Sequence, residues 1–115
     1  MESILQRLAE LNEIISTILI GKDGLIVAGT AQSEEEELLG AISAAVFGSI
    51  TDFTNQASKS QTHHAIIETE KGTVQFAEVG ELILVVSTNG IGNLGRVRLE
   101  MKKACHQLAD LVAAY

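Results

Sequence analysis

Three strand-like segments between residues 62 and 87 are joined by turns too short for anything but reversal of the chain. They are Thr62–Thr69, Thr73–Val79 and Leu82–Ser87, and only Glu70-Lys71-Gly72 and Gly80-Glu81 separate them. A parallel connection needs a crossover of a dozen or more residues. The sequence therefore predicts an antiparallel meander here.

A second hairpin is predicted earlier in the chain. The apolar, β-branched segments Ile14–Ile20 and Leu25–Ala28 flank Gly21-Lys22-Asp23-Gly24. The Asp-Gly step supplies the backbone conformations that a tight hairpin turn requires.

Helical periodicity predicts three helices around these strands. Apolar residues recur at helical spacing over residues 2–13, and a capping-box pattern at Ser33 and Glu36 begins a central helix that runs to about residue 57. A third helix is predicted from Leu94 to the last residue. The predicted fold class is α+β, in the order helix-strand-strand-helix-strand-strand-strand-helix, with an antiparallel five-stranded sheet between helices.

The short apolar runs and the net charge of the chain argue against membrane-spanning and nucleic-acid-binding functions. A chain of 115 residues fits one domain, residues 1–115, and its apolar runs are far shorter than the roughly 20 residues that cross a bilayer. No basic segment leads into an apolar one, so we expect a cytoplasmic protein without direct membrane insertion. The net charge of −7 and the scarcity of aromatic residues argue against nucleic-acid binding. Basic residues crowd near the third helix, in a cluster suited to an acidic partner: Arg96, Arg98, Lys102 and Lys103.

The glycine-rich stretch Gly90–Gly95 matches the G-x-G-x-x-G pattern of dinucleotide-binding sites. That site also needs a second parallel strand with an acidic residue at its end, and the sequence ends inside the helix that follows. A plain strand-to-helix connection is favoured, with a small anion at the helix N-terminus as the minor alternative.

Other candidate chemistry is weak. His63 and His64 are neighbours on a predicted strand and point to opposite faces, and His106 lies far away, so no metal site is expected. Cys105 falls in an apolar helical stripe, where a buried, inert thiol is the favoured interpretation. The run Glu34–Glu37 could bind a cation, but the first turn of a helix is the favoured interpretation. We expect no cofactor and no catalytic residues.

The central helix carries features of a contact surface. Its apolar stripe is expected to face the core and comprises Leu38, Leu39, Ile42, Ala45, Val46, Ser49, Ile50 and Phe53. Small residues line more than one face of the helix, which indicates close packing against another element. Phe47 lies off the apolar stripe and is therefore expected to contact a partner.

The strand that begins at Thr62 opens the meander and is expected at the sheet edge. Its unpaired backbone groups would template a second copy of the same strand. A two-fold homodimer with a continuous sheet follows from this arrangement.

Several segments together resemble one family, the roadblock/LC7 domain in its stand-alone prokaryotic form. They are Lys22–Ala28, the long small-residue helix, Gly72-Thr73-Val74, Leu82–Val86 and Asn93-Leu94-Gly95 before an arginine-bearing helix. The resemblance covers essentially the whole chain.

The resemblance implies a sandwich related to the profilin and longin folds that dimerises through its third strand. It also implies a non-catalytic partner for small Ras-like GTPases, although Arg96 and Arg98 could be considered as arginine fingers. We discount that role, because an arginine at a helix start is commonly solvated or paired with an acid. Carried onto this chain, the dimer seam comprises Thr62, His64, Ile66 and Glu68. The partner-binding face comprises Glu35, Glu36, Ser43 and Phe47.

The expected function is that of a homodimeric regulator or scaffold that binds a small Ras-like GTPase and modulates its nucleotide cycle or localisation. One alternative is a scaffold for a signalling or cytoskeletal complex without a GTPase. The other is a small nucleotide- or anion-binding enzyme that uses the loop Asn89–Gly95.

Overall fold

A computed structural model describes residues 1–29, 34–90 and 94–112. The elements in chain order are α1 (Glu2–Ala9), β1 (Ile14–Gly21), β2 (Ile26–Gly29), α2 (Glu34–Ser58), β3 (His64–Glu68), β4 (Gly72–Val79), β5 (Leu82–Asn89) and α3 (Leu94–Val112). This order confirms the predicted fold class. Three parts of the predictions fall outside the described residues: the helix cap at Ser33, residues 91–93 of the glycine-rich loop, and the last three residues of the chain.

The five strands form one antiparallel sheet in the order β2-β1-β5-β4-β3. The predicted hairpin of β1 and β2 and the predicted meander of β3, β4 and β5 are both confirmed, and β1 joins them into one sheet by pairing with β5. Because α2 follows β2 at one edge and precedes β3 at the other, it has to cross the whole width of the sheet.

Helices cover both faces of the sheet. One core cluster lies between the sheet and the helices α1 and α3, and includes Leu5, Leu19, Val86, Met101 and Leu108. The other lies beneath α2 and includes Ile18, Ile20, Phe47, Phe76 and Val85. Alternation along each strand produces this division, since successive side chains point to opposite faces.

The β1–β2 turn forms as its Asp-Gly step predicts. The Asp23 carboxylate accepts a hydrogen bond from the Leu25 amide at 3.1 Å, and the Gly21 amide donates to the Leu25 carbonyl at 2.9 Å. Gly24 has a φ of +91°, a conformation that side chains with a Cβ rarely adopt.

Helix α1 ends four residues earlier than predicted, at Ala9 and not at residue 13. The following turns carry the chain to Glu13, whose carbonyl accepts a hydrogen bond from the Asn89 amide at 2.8 Å. Joining the end of β5 in this way requires the backbone to leave the helix before β1 begins.

Candidate protein interface

Helix α2 packs on the sheet through a face different from the one predicted. Phe47 is 3% exposed, Ser43 2% and Glu36 7%, and all three lie on the sheet-facing side together with Gly40. The expectation that Phe47 lies on a second, solvent-facing side is therefore wrong. Its ring packs in the core against Phe76.

Shape explains this choice of face. A Cβ added at Gly40 would lie 3.0 Å from the Gly24 carbonyl oxygen and 3.3 Å from Ile26 Cγ1. A glycine at this position lets α2 approach the β1–β2 turn closely, and one turn or two further on Ser43 and Phe47 fill the remaining space above the sheet.

The outer face of α2 carries an apolar stripe. Leu38 is 63% exposed, Ile42 51% and Phe53 69%, and Ala45 and Ser49 between them are also exposed. At 3.6 residues per turn these five positions fall within about 80° of one another around the helix axis. They point away from the sheet, so five of the eight positions predicted as core-facing instead form a surface, which we call the α2 stripe. Leu39 and Val46, also in the predicted set, are half-buried and pack against the core beneath α2.

Negative charge adjoins this stripe at the start of α2. Of the four acidic residues in the first turn, Glu34, Glu35 and Glu37 are exposed, whereas Glu36 is buried. Among the predicted partner-binding residues, only Glu35 is therefore accessible at the surface of the protomer.

Strand β3 lies at the edge of the sheet, as predicted, because β4 is its only partner among the described strands. The strand begins at His64, two residues after the predicted start. Thr62 instead precedes it, and its hydroxyl lies 2.6 Å from that of Thr54 at the end of α2. His64, Ile66 and Glu68 lie within β3 and share the face that α3 covers.

The polar groups around His64 come from two other elements. Its Nε2 lies 3.0 Å from Gln75 Oε1 on β4. Burial lowers the pKa of His64, and the positive charges of Arg98 and Lys102 on α3 lower that pKa further, against an opposing effect of the Gln75 hydrogen bond. His63, by contrast, contacts Glu78 at 3.4 Å.

The guanidinium of Arg96, which is exposed, lies 3.9 Å from the largely buried carboxylate of Glu13 in an ion pair. Arg96 starts a helix on the face of the sheet opposite α2, far from the α2 stripe. The pairing with Glu13 agrees with the expectation that an arginine at a helix start is solvated or paired with an acid.

Within the described residues the structure offers little for catalysis or metal binding. No group of three or more His, Cys, Asp or Glu residues is placed to hold a metal ion in the described part of the chain. A cleft of about 530 Å³ between the β1–β2 turn and α2 is lined by Asp23, Gly24, Leu25, Ile26, Glu37 and Ala41. Among the residues that the structure describes, its lining contains two carboxylates and neither a histidine nor a hydroxyl or thiol nucleophile.

Cys105 is partly buried against the core cluster under α3, and burial raises the pKa of its thiol to about 11. Such a thiol is a weak nucleophile at neutral pH, which agrees with the predicted inert cysteine. As for membranes, the described helices include none with the length and apolar character that a bilayer crossing demands.

Known proteins are similar to this chain in sequence. An uncharacterised protein of Methanocaldococcus jannaschii, MJ0714, is 34% identical over 113 residues, an alignment that covers 94% of this chain and 96% of the relative. A second from the same organism, MJ1340, is 32% identical over 109 residues, with the same coverage of each chain.

Solved structures with the same fold are similar to this chain at lower sequence identity. MglB of Myxococcus xanthus superposes with a TM-score of 0.91 at 20% identity, covering 99% of this chain and 95% of that one. A roadblock/LC7 domain from Streptomyces avermitilis also gives 0.91, at 11% identity and 98% coverage of both chains. Profilin IB of Acanthamoeba castellanii gives 0.64 at 14% identity, covering 96% of this chain and 97% of its own, so the profilin-like architecture is confirmed.

The family model of the Roadblock/LC7 domain matches residues 1–88, which include α1, α2 and the whole sheet except the last residue of β5. Together with the relatives that align along nearly the full chain, this match establishes the family predicted from the sequence. The chain belongs to the Roadblock/LC7 domain family.

Proposed function

We propose that this chain is a homodimeric, non-catalytic regulator or scaffold that binds a small Ras-like GTPase in the cytoplasm. The observation that carries the proposal is the α2 stripe on a member of the Roadblock/LC7 family. Several large apolar side chains lie together on a helix face that none of the described helices and strands covers. Exposed apolar groups of this kind mark protein contacts.

The exposed side chains of α2 indicate which kind of partner surface could bind it. Leu38 and Ile42 offer apolar contact area, and the exposed Glu34, Glu35 and Glu37 surround its N-terminal end with negative charge. A basic partner surface with an apolar centre matches this pattern. Complementary charge mainly accelerates association, whereas the buried apolar contacts hold the complex.

Self-association would enlarge this surface. Pairing of two β3 edges in one continuous sheet keeps both copies of α2 on the same face of that sheet. A single platform with two α2 stripes would then be available to a partner. Modulation of the GTPase could act through its nucleotide cycle or through its localisation.

A pull-down from the lysate of the source cell tests the proposal, run once with a non-hydrolysable GTP analogue and once with GDP. We expect a small GTPase whose recovery depends on the nucleotide and is lost in the double variant Leu38→Gln, Ile42→Gln. The matched control is Leu111→Gln, which makes the same change at an exposed leucine on α3.

Other outcomes reject the GTPase. Recovery of other proteins without nucleotide dependence would identify a plain scaffold for a signalling or cytoskeletal complex. Tight nucleotide binding by the isolated protein would instead point to an enzyme or nucleotide-binding protein built on the loop after β5.

A further inference from the structure

The backbone groups of β3 are divided between two sides. The Glu78 amide donates to the His63 carbonyl at 2.9 Å, and the Thr69 amide donates to the Gly72 carbonyl at 2.7 Å. In an antiparallel ladder the hydrogen-bonded pairs alternate along the strand. The odd-numbered residues therefore face β4, and His64, Ile66 and Glu68 direct their N–H and C=O groups to the free edge.

Symmetry restricts how a second β3 can pair with this edge. Two antiparallel edge strands in one sheet are related by a two-fold axis perpendicular to the sheet, which keeps each face on its own side. Residues that lie opposite each other in an antiparallel ladder place their side chains on the same face of the sheet. The axis therefore has to lie where a residue of one copy is opposite the same residue of the other copy. The candidates at the centre of the strand are Ala65, Ile66 and Ile67.

His64, Ile66 and Glu68 are the residues of β3 whose backbone groups point to the free edge. Only an axis at Ile66 places each of them opposite one of these three residues in the second copy. Moving the axis to Ala65 places Glu68 opposite Thr62, which lies outside β3. Moving it to Ile67 places Glu68 opposite the apolar Ile66. With the axis at Ile66, Glu68 of one copy lies opposite His64 of the other, and Ala65 lies opposite Ile67.

Charge complements this register. His64 lies on the face of the sheet that α3 covers, and the positive charges of Arg98 and Lys102 on that helix lower its pKa. Glu68 is exposed and makes no ion pair with any residue that the structure describes. Residues opposite each other in a ladder have Cβ atoms about 5 Å apart, so each Glu68 would lie beside a positively charged cluster.

We propose that two copies of this chain pair through β3 with Ile66 on the two-fold axis, so that Glu68 of each copy binds at the His64, Arg98 and Lys102 cluster of the other. The inference rests on the dimer of the proposed function and adds its register and its regulation by pH. Ile66 and Ile67, both partly exposed at the edge, become covered by the pairing.

The arrangement makes dimerisation sensitive to pH. In the isolated protomer the pKa of His64 is below its ordinary value, and Gln75, Arg98 and Lys102 are the groups that act on it besides burial. A carboxylate arriving from the second copy raises that pKa in the dimer. The dimer then binds more protons than two separate protomers do. Association therefore tightens as the pH falls through the range between the pKa of His64 in the dimer and its pKa in the protomer.

Single-cysteine variants in a Cys105→Ala background read out the register. In an oxidising buffer we expect Ile66→Cys to form the intermolecular disulfide fastest, because two copies of this residue face each other at about 5.5 Å between Cα atoms. Faster cross-linking of Ala65→Cys or Ile67→Cys would overturn the register while leaving a dimer. A protein that sediments as a monomer at all concentrations would overturn the dimer as well.

Sedimentation equilibrium between about pH 8 and pH 5.5 tests the charge pair. We expect Kd to fall on acidification by about tenfold for each pKa unit gained at one site. Glu68→Gln and His64→Gln should each abolish this response, and His63→Gln should retain it, since its ring contacts Glu78 of its own protomer. A response that survives both Glu68→Gln and His64→Gln would overturn the pairing, whatever the GTPase pull-down returns.

Two proline variants separate loss of the dimer from loss of the fold. Ile66→Pro removes an amide that faces the free edge, whereas Ile67→Pro removes one that faces β4. We expect Ile66→Pro to give a folded monomer by circular dichroism and sedimentation, and Ile67→Pro to destabilise the protomer. A folded dimer formed by Ile66→Pro would contradict the proposal.

Discussion

Phe47 of α2 packs against Phe76 of β4 with ring centroids 6.2 Å apart and an interplanar angle of 35°. Both side chains are buried, and this contact fixes which side of α2 faces the sheet. Phe53, six residues further along the same helix, lies on the outer side and is largely exposed.

The two phenylalanines therefore form a matched pair for testing the orientation of α2. Phe47→Ala should lower the free energy of unfolding by about 3–5 kcal/mol, because it leaves a cavity between helix and sheet. Phe53→Ala should change it by less than about 0.5 kcal/mol in the monomer. Urea denaturation measures both, and a larger loss for Phe53→Ala would reverse the assigned orientation.

Two glycines provide a second matched pair. A Cβ at Gly72 would collide with the backbone carbonyl of Thr88 on the neighbouring strand, whereas a Cβ at Gly48 in the middle of α2 meets nothing. Gly72→Ala should destabilise the protein by about 1–3 kcal/mol through forced movement of the strands. Gly48→Ala should stabilise it by up to about 1 kcal/mol, through the higher helix propensity of alanine. Thermal or urea unfolding would contradict this if both substitutions had the same sign.

Cys105 should react slowly with alkylating reagents in the folded protein. Its pKa of about 11 leaves little thiolate at neutral pH. An unperturbed thiol has a pKa near 8.5, so we expect the reaction with iodoacetamide at about pH 7.5 to be slower by a hundredfold or more. Addition of urea should restore the rate of a free cysteine. Rapid modification without urea would show that the thiol is more accessible than its packing under α3 indicates.

The titration of His64 should have opposite effects on the protomer and on the dimer. Its lowered pKa means that the unfolded chain takes up the proton first, so protomer stability is complete above about pH 6.5 and decreases as the pH falls through the folded-state pKa. Comparing Glu68→Gln with the double variant Glu68→Gln, His64→Gln in dilute solution isolates this contribution. The single variant should lose more stability between about pH 7.5 and pH 5.5 than the double variant. Equal losses would mean that His64 is not perturbed in the protomer.

Local patterns predicted most of the fold correctly. The Asp-Gly step at Asp23 and Gly24, the short turns of the meander and the alternation of apolar residues determine strand pairing within each hairpin, because they act over a few residues. The edge position of β3 also followed from its place at the start of the meander. The end of α1 was misplaced, since the hydrogen bond between Glu13 and Asn89 joins residues far apart in the sequence.

The candidate interface was only partly predictable. The sequence indicated α2 as a contact element but placed Leu38, Ile42 and Phe53 on the core side and Phe47 outside it. The α2 stripe was missed because apolar character alone favoured burial of Leu38, Ile42 and Phe53. The spacing of Gly40, Ser43 and Phe47 was the available signal for the buried side. Likewise the basic cluster near the third helix was noticed, but nothing in the sequence placed Arg98 and Lys102 beside His64.

Periodicity and turn chemistry are local properties of the chain, so the element order and the antiparallel strand pairs were predictable from them, and a resemblance between short segments indicated the family. The side of α2 that meets the sheet and the charges that act on β3 were not predictable in this way. Those outcomes depend on the fit of shapes between distant segments, where a missing Cβ at Gly40 and a ring at Phe47 outweigh the larger hydrophobicity of the opposite face.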